Sequence, residues 1–141
     1  MDGSDPHTIV SGSTYLMGIA VDLSSSRIYW ADYSNQRIQS CGPNGENVRT
    51  IAQVSGRPWG IAVVAERVYW SLYDEKRIES GASSGGDVRS NSNNGTSAII
   101  NLAVADWTLV TRNRANPCCE GWSTCSGVCV LTQGEGYGCI A

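Results

Sequence analysis

Short apolar runs bounded by polar turns recur along the chain, and none sustains the 3.6-residue spacing of an amphipathic helix. Residues 18–22 (Gly-Ile-Ala-Val-Asp) are small and β-branched. Three serines follow, and then residues 27–33, which are rich in aromatics. This pattern predicts a buried strand, a hairpin loop and a second strand. Residues 37–41 and 47–52 complete a set of four, separated by Ser-Asn-Gln at 34–36 and Gly-Pro-Asn-Gly at 42–45. These are turn compositions, because Gly and Asn accept positive φ and Pro presets a turn. Along the second strand, alternation puts Ile28, Trp30 and Asp32 on one face and Tyr29, Ala31 and Tyr33 on the other. Both faces are largely apolar, as befits a sheet covered on two sides. Arg37, Gln39, Asn47 and Arg49 make the last two strands wetter.

The set is then repeated. Gly18 recurs as Gly60, an offset of 42, whereas Tyr29-Trp30 recurs as Tyr69-Trp70, an offset of 40. Tyr33, Arg37-Ile38 and Val48-Arg49 keep the second offset as Tyr73, Arg77-Ile78 and Val88-Arg89. Four short strands at a period of about 40–45 residues define a propeller blade. The predicted fold class is therefore all-β: consecutive four-stranded β-propeller blades, forming an incomplete propeller, with a small C-terminal disulfide-rich module. Two complete blades fall at about 18–58 and 60–97 within a partial propeller at 1–115, and the module occupies 116–141. A third unit starts at 100–104, with a second strand expected at 107–111 and a polar loop at 90–97 before it. Residues 7–10 match the lead-in at 50–51 and are expected to be the last strand of a preceding unit.

Composition narrows the chemistry. The net charge of −3 is too weak to argue for nucleic acid or an anionic membrane. No apolar run approaches the roughly 18 residues of a spanning helix, so this segment is expected to make no direct membrane insertion. The acidic, polar start is not a signal peptide. Cys118, Cys119, Cys125, Cys129 and Cys139 crowd the end of the chain, which reads as a disulfide framework of an oxidising compartment. A zinc knuckle is the competing reading, but the single histidine, His7, is remote in sequence. Asp32 on a packed strand needs a partner, since burying an unpaired carboxylate is costly, and Arg27 or Arg37 is within reach. A structural pair is preferred there to a catalytic carboxylate, because ion-pair members also carry perturbed pKa values.

Tyr-Trp-Ala-Asp at 29–32, preceded by Gly-Ile-Ala-Val-Asp and followed by Arg-Ile-Gln-Ser, resembles the Tyr-Trp-Thr-Asp β-propeller repeat of the low-density-lipoprotein receptor and receptor-related family. The second copy carries Ser71-Leu72 in place of Thr-Asp. From Asn116-Pro117-Cys118 to Cys139 the tail resembles the epidermal-growth-factor-like module that follows such propellers, truncated before its fifth and sixth cysteines. The resemblance implies disulfides Cys118–Cys129 and Cys125–Cys139. Cys41 and Cys119 stay unassigned. It also implies a six-bladed propeller, so two blades leave apolar faces and strand edges open. The chain is then either the last part of a longer propeller or self-associates through open blade edges.

By the same resemblance the chain is a non-catalytic, extracellular protein-binding module of a lipoprotein-receptor-like cell-surface receptor, of endocytic or Wnt co-receptor type. A nidogen-like extracellular-matrix scaffold is the alternative, and a propeller hydrolase the least favoured reading. The resemblance places ligand-face residues just after the Tyr-Trp strand and just before the first strand: Met17, Tyr33, Gln36, Trp59, Tyr73 and Lys76. Aromatic and Met-rich rims suit protein recognition, although each side chain would also pack between blades. A hydrolase site needs converging carboxylates or histidines, and the first strand offers only Asp22. No cofactor or metal is implied, and His7 is not assigned a pH switch. Asn94-Gly95-Thr96 is a glycosylation sequon at Asn94, consistent with an extracellular site.

Overall fold

The computed structural model describes residue 4 and residues 6–92, 101–104, 128–131 and 137–140. Asn94, Cys118, Cys119, Cys125, the strand expected at 107–111 and most of the module at 116–141 lie outside the described residues. Among those described, every regular element is a strand. The strands β1 (Leu16–Asp22), β2 (Arg27–Asp32), β3 (Arg37–Cys41) and β4 (Arg49–Gln53) form one antiparallel sheet in chain order. A second sheet repeats it with β5 (Pro58–Val64), β6 (Arg67–Leu72), β7 (Arg77–Ala82) and β8 (Arg89–Ser92). A third contains β9 (Asn101–Val104), β10 (Val128–Leu131) and β11 (Tyr137–Ile140), with β10 in the middle.

The sheets stand side by side with their first strands innermost: β1 packs on β5, and β5 on β9. Glycine makes the closest approach feasible. A Cβ on Gly18 would lie 2.5 Å from the Trp59 carbonyl oxygen, so only a residue without one fits. Register confirms the alternation. Ile19 faces Trp30 and Val21 faces Ile28 on one side of the first sheet, while Ala20 faces Tyr29 on the other. Tyr29, Ala31 and Ile38 meet Ile61, Val68, Trp70 and Leu72 between the first two sheets, joined by Ile51, Ala52 and Val54. The opposite face of the second sheet buries Ala62 and Ile78 against Leu102 of β9. The second sheet is thus covered on both sides, and each aliphatic or aromatic side chain so buried contributes about 1.5–3 kcal/mol.

The turns are built alike in the two repeats, but not always from the expected residues. Gln36 and Lys76 end the β2–β3 and β6–β7 turns with φ of 51° and 52°, and Ser26 and Ala65 take φ of 53° and 42°. None is Gly or Asn. Side-chain braces recur too: Arg27 donates to the Ser40 hydroxyl and the Asn47 carbonyl, and Arg67 to Ser80 and Asp87.

Two findings depart from the sequence pattern. Residues 7–10 join no ladder among the described residues. They nevertheless lie where an outer strand would. A Cβ on Gly45 would collide with the Ile9 carbonyl, just as Gly85, its repeat mate, abuts the Ile51 carbonyl of β4. The third sheet also crosses the boundary expected after residue 115, since β9 pairs with β10 in the register Val104↔Val128 and Asn101↔Leu131. An inner strand has backbone donors and acceptors to satisfy, and the short β-prone run at 128–131 supplies a matching ladder. In that ladder Cys129 stands opposite Cys139 of β11.

Candidate functional site

One end of the first two sheets carries a continuous row of rings. Tyr15 meets Tyr33 edge-on with centroids 6.4 Å apart, and Tyr33 meets Trp59 edge-on at 6.0 Å. Trp59 stacks on Tyr73 at 5.0 Å and an interplanar angle of 30°. The Arg57 guanidinium lies over the Tyr33 ring at 5.3 Å, a cation–π geometry. Its Nε also reaches Asp74 at 3.6 Å, with both side chains about half exposed, so that pair adds little. The row spans two blades, and Tyr15 and Tyr73 are exposed.

Backbone irregularity puts the rings there. Between Leu16 and Ile19 the β1–β2 ladder takes one extra residue, and the same bulge occurs between Pro58 and Ile61. A bulge twists a strand and re-aims its side chains, here at Met17 and Trp59. Past each bulge an extra hydrogen bond closes the end of the hairpin: Tyr33 N–H donates to the Tyr15 carbonyl, and Tyr73 N–H to the Arg57 carbonyl. Tyr15 and Arg57 are therefore repeat mates.

Three of the six expected ligand-face residues come together: Tyr33, Trp59 and Tyr73. Met17 is half-buried in the bulge of β1. Gln36 and Lys76 are exposed on the turns; the Gln36 carbonyl accepts from Val54 N–H and from Gln53 Nε2. The sequence pattern does not single out Tyr15 and Arg57. The repeat offset of 42 relates them, but it took the bulge to reveal what they face.

Asp32, beside the row, and Asp22, at the opposite end of β1, are both engaged in turns of their own. Asp32 is buried and accepts from Ser13 Oγ at 2.8 Å, Asn35 N–H at 3.1 Å, Asn35 Nδ2 at 2.9 Å and Arg37 Nε at 3.1 Å. Burial pushes its carboxyl up, but the bonds from Asn35, Ser13 and Arg37 outweigh this and hold it below the ordinary carboxylate value. Arg37 is the partner; Arg27 is occupied on β3 and the following loop. Asp22 takes the hydroxyls of Ser24 and Ser25 in its own turn, which lowers its carboxyl likewise. Both carboxylates organise turns. Among the described residues no cluster of His, Cys, Asp and Glu is arranged to hold a metal ion. Cys41 is a free, buried thiol; burial and the charge of Glu46 raise its pKa, against the opposing pull of Arg27.

Bulged hairpins stacked by their inner strands, each with a buried Tyr-Trp strand, define a segment of β-propeller. Comparison with known proteins agrees. Over 65 residues the chain is 37% identical to the vitellogenin receptor Yl of Drosophila melanogaster, covering 45% of this chain and 3% of that receptor. In structure it is similar to a chain of a nidogen/laminin complex crystal structure, with a TM-score of 0.72 and 20% sequence identity, over 93% of this chain and 46% of that one. No protein-family model matches. The chain thus resembles part of a low-density-lipoprotein receptor-related propeller with Tyr-Trp-Thr-Asp repeats, and spans less than half of each of these two proteins.

Proposed function

We propose that the chain is a non-catalytic, extracellular protein-binding module, and that the row Tyr15–Tyr33–Trp59–Tyr73 is its ligand face. The observation carrying this reading is the contiguity of four rings and Arg57 across two blades at a single end. Trp, Tyr and Arg are the side chains that most often dominate protein interfaces, because large rigid groups bury much area at little entropic cost. A cell-surface receptor of the lipoprotein-receptor type is the favoured setting, supported by the likeness to a vitellogenin receptor. The disulfides Cys118–Cys129 and Cys125–Cys139, an epidermal-growth-factor-like module and glycosylation at Asn94 belong to the same proposal.

A matrix scaffold is the second reading, favoured by the structural likeness to a chain of a nidogen/laminin complex. The two are separated by immobilising the full chain and measuring binding of vitellogenin and of laminin in parallel. Binding of the first supports the receptor reading, and binding of the second the scaffold. In either case Trp59→Ala and Tyr33→Ala should each weaken binding tenfold or more, on the order of a hot-spot contact. Binding that survives both substitutions would remove the aromatic row from the ligand site. Binding of neither protein would count against both settings.

A further inference from the structure

We propose that the segment seated on the ring row is a proline-rich stretch of a partner protein in the polyproline II conformation, with a basic residue that meets Glu75. This rests on the row being the ligand face, and names the chemistry of what lies on it.

Three observations select that partner among the ways proteins take up a peptide. The first concerns the backbone. The row stands at the ends of the strands, where Tyr33 N–H already donates to the Tyr15 carbonyl and Tyr73 N–H to the Arg57 carbonyl. The Gln36 carbonyl accepts from Val54 N–H and from Gln53 Nε2. A strand added through main-chain hydrogen bonds finds no ladder to join here. A polyproline II segment needs none, because aromatic rings rather than a ladder hold it.

The second is the form of the row. The ring planes meet at 62° between Tyr15 and Tyr33, 82° between Tyr33 and Trp59 and 30° between Trp59 and Tyr73. The two edge-on contacts make steps rather than a flat wall. A compact pyrrolidine ring packs into such a step and loses no side-chain entropy in doing so. In polyproline II the same side recurs every third residue, about 9 Å along the axis. With ring centroids 5.0–6.4 Å apart, rings two steps along the row are within reach of successive prolines in a Pro-x-x-Pro repeat.

The third is charge. Arg37, Arg57 and Arg77 at this end each pair with a carboxylate, of Asp32, Asp74 and Glu79 in turn, so they form no open cluster for a phosphate or an acidic segment. Glu75 is exposed and takes no ion pair among the described residues. Its carboxylate lies over Gly56, where a Cβ would collide with it. An unpaired negative charge is thus placed on the loop leading to Trp59, at the Tyr73 end of the row. Lys76 is exposed on the same turn, but no contact among the described residues fixes its ammonium there.

Calorimetric titration of the full chain with a Pro-x-x-Pro peptide ending in arginine tests this. Saturable binding to the wild type is expected. Tyr73→Ala, at an exposed ring, should weaken it by about tenfold or more with an unchanged far-ultraviolet spectrum. Glu75→Gln should weaken the arginine-ended peptide about threefold, the size of an exposed ion pair, and leave a glutamine-ended peptide unaffected. The same peptide with every proline replaced by alanine, a better helix former, should bind on the order of tenfold more weakly. Equal binding of the alanine peptide, or binding indifferent to Tyr73→Ala or to Glu75→Gln, would overturn the proposal. If the proline peptide fails to bind while vitellogenin or laminin binds and is lost in Trp59→Ala, the proline-rich partner is excluded and the ligand face stands. If none of the three binds, both fall.

Discussion

Trp70 donates its indole N–H to Glu79 Oε2 at 3.2 Å, and Glu79 in turn accepts from Arg77 at 2.9 Å. The repeat mates are Trp30, Gln39 and Arg37, and there the wiring differs. Trp30 Nε1 is buried without an acceptor among the described residues, and Arg37 turns to Asp32 instead. Leu72 stands where Asp32 would be. Each blade thus keeps one buried carboxylate for its arginine, but on different strands: β2 in the first blade and β7 in the second. By itself, a leucine at position 72 implies the loss of an ion pair. The pair has moved.

This relocation makes a double-mutant cycle informative. Asp32→Leu alone should cost about 3 kcal/mol in denaturant unfolding, because it strands Arg37 and the groups aimed at the carboxylate. Gln39→Glu added to it rebuilds the second blade's arrangement, giving both Arg37 and Trp30 an acceptor. The double variant should recover about 1–2 kcal/mol, a coupling expected of residues sharing one network. No recovery would mean that the two blades are not interchangeable at this point.

Acid should uncover the same carboxylate. The folded-state pKa of Asp32 lies below its unfolded value, so its contribution to stability is complete above the unfolded value of about 3.9 and disappears as pH falls through the folded one. The stability gap between the wild type and Asp32→Asn, followed by urea unfolding, should be constant from neutral pH down to about pH 5 and narrow below about pH 4. A gap that widens on acidification would contradict the lowered pKa.

Lys76 separates ligand recognition from backbone strain. Its φ of 52° suits glycine better than lysine, at roughly 1 kcal/mol. Lys76→Gly should therefore leave the melting temperature unchanged or raised, although it removes the whole side chain. If binding by the ring row also persists, Lys76 has no part in the ligand face. The same variant at Gln36 (φ 51°) tests the first blade.

Cys41 is expected to be inert. Its thiol is buried in β3, and burial raises its pKa, so little thiolate exists at neutral pH to attack a disulfide reagent. Titration with such a reagent should find Cys41 unreactive in the native chain and labelled once urea is added. Peptide mapping assigns the label to the residue.

The blades themselves were legible in the sequence, because a strand's side chains alternate with a period of two and a repeat writes that alternation twice. Residues 37–41 were expected as a strand and are one; the first and fourth strands differ from expectation by about two residues at their ends. The ring row was legible only in part. Tyr33, Trp59 and Tyr73 are among the residues that the family resemblance places at this end, but Tyr15 and Arg57 depend on a one-residue bulge that no alternation rule announces. Turn residues were equally hidden where Gln36, Ala65 and Lys76 take positive φ against their own preference, held there by the ladders on either side.

The order of apolar and polar residues therefore determined the strands, the apolar character of both their faces and the repeat that makes neighbours of them. It did so because those properties depend on residues close together in the chain. Which carboxylate meets which arginine, which rings touch and why Ile19 lies bare while Ile61 is buried were decided only in three dimensions. Each of these depends on what a neighbouring sheet does or does not bring within a few ångströms.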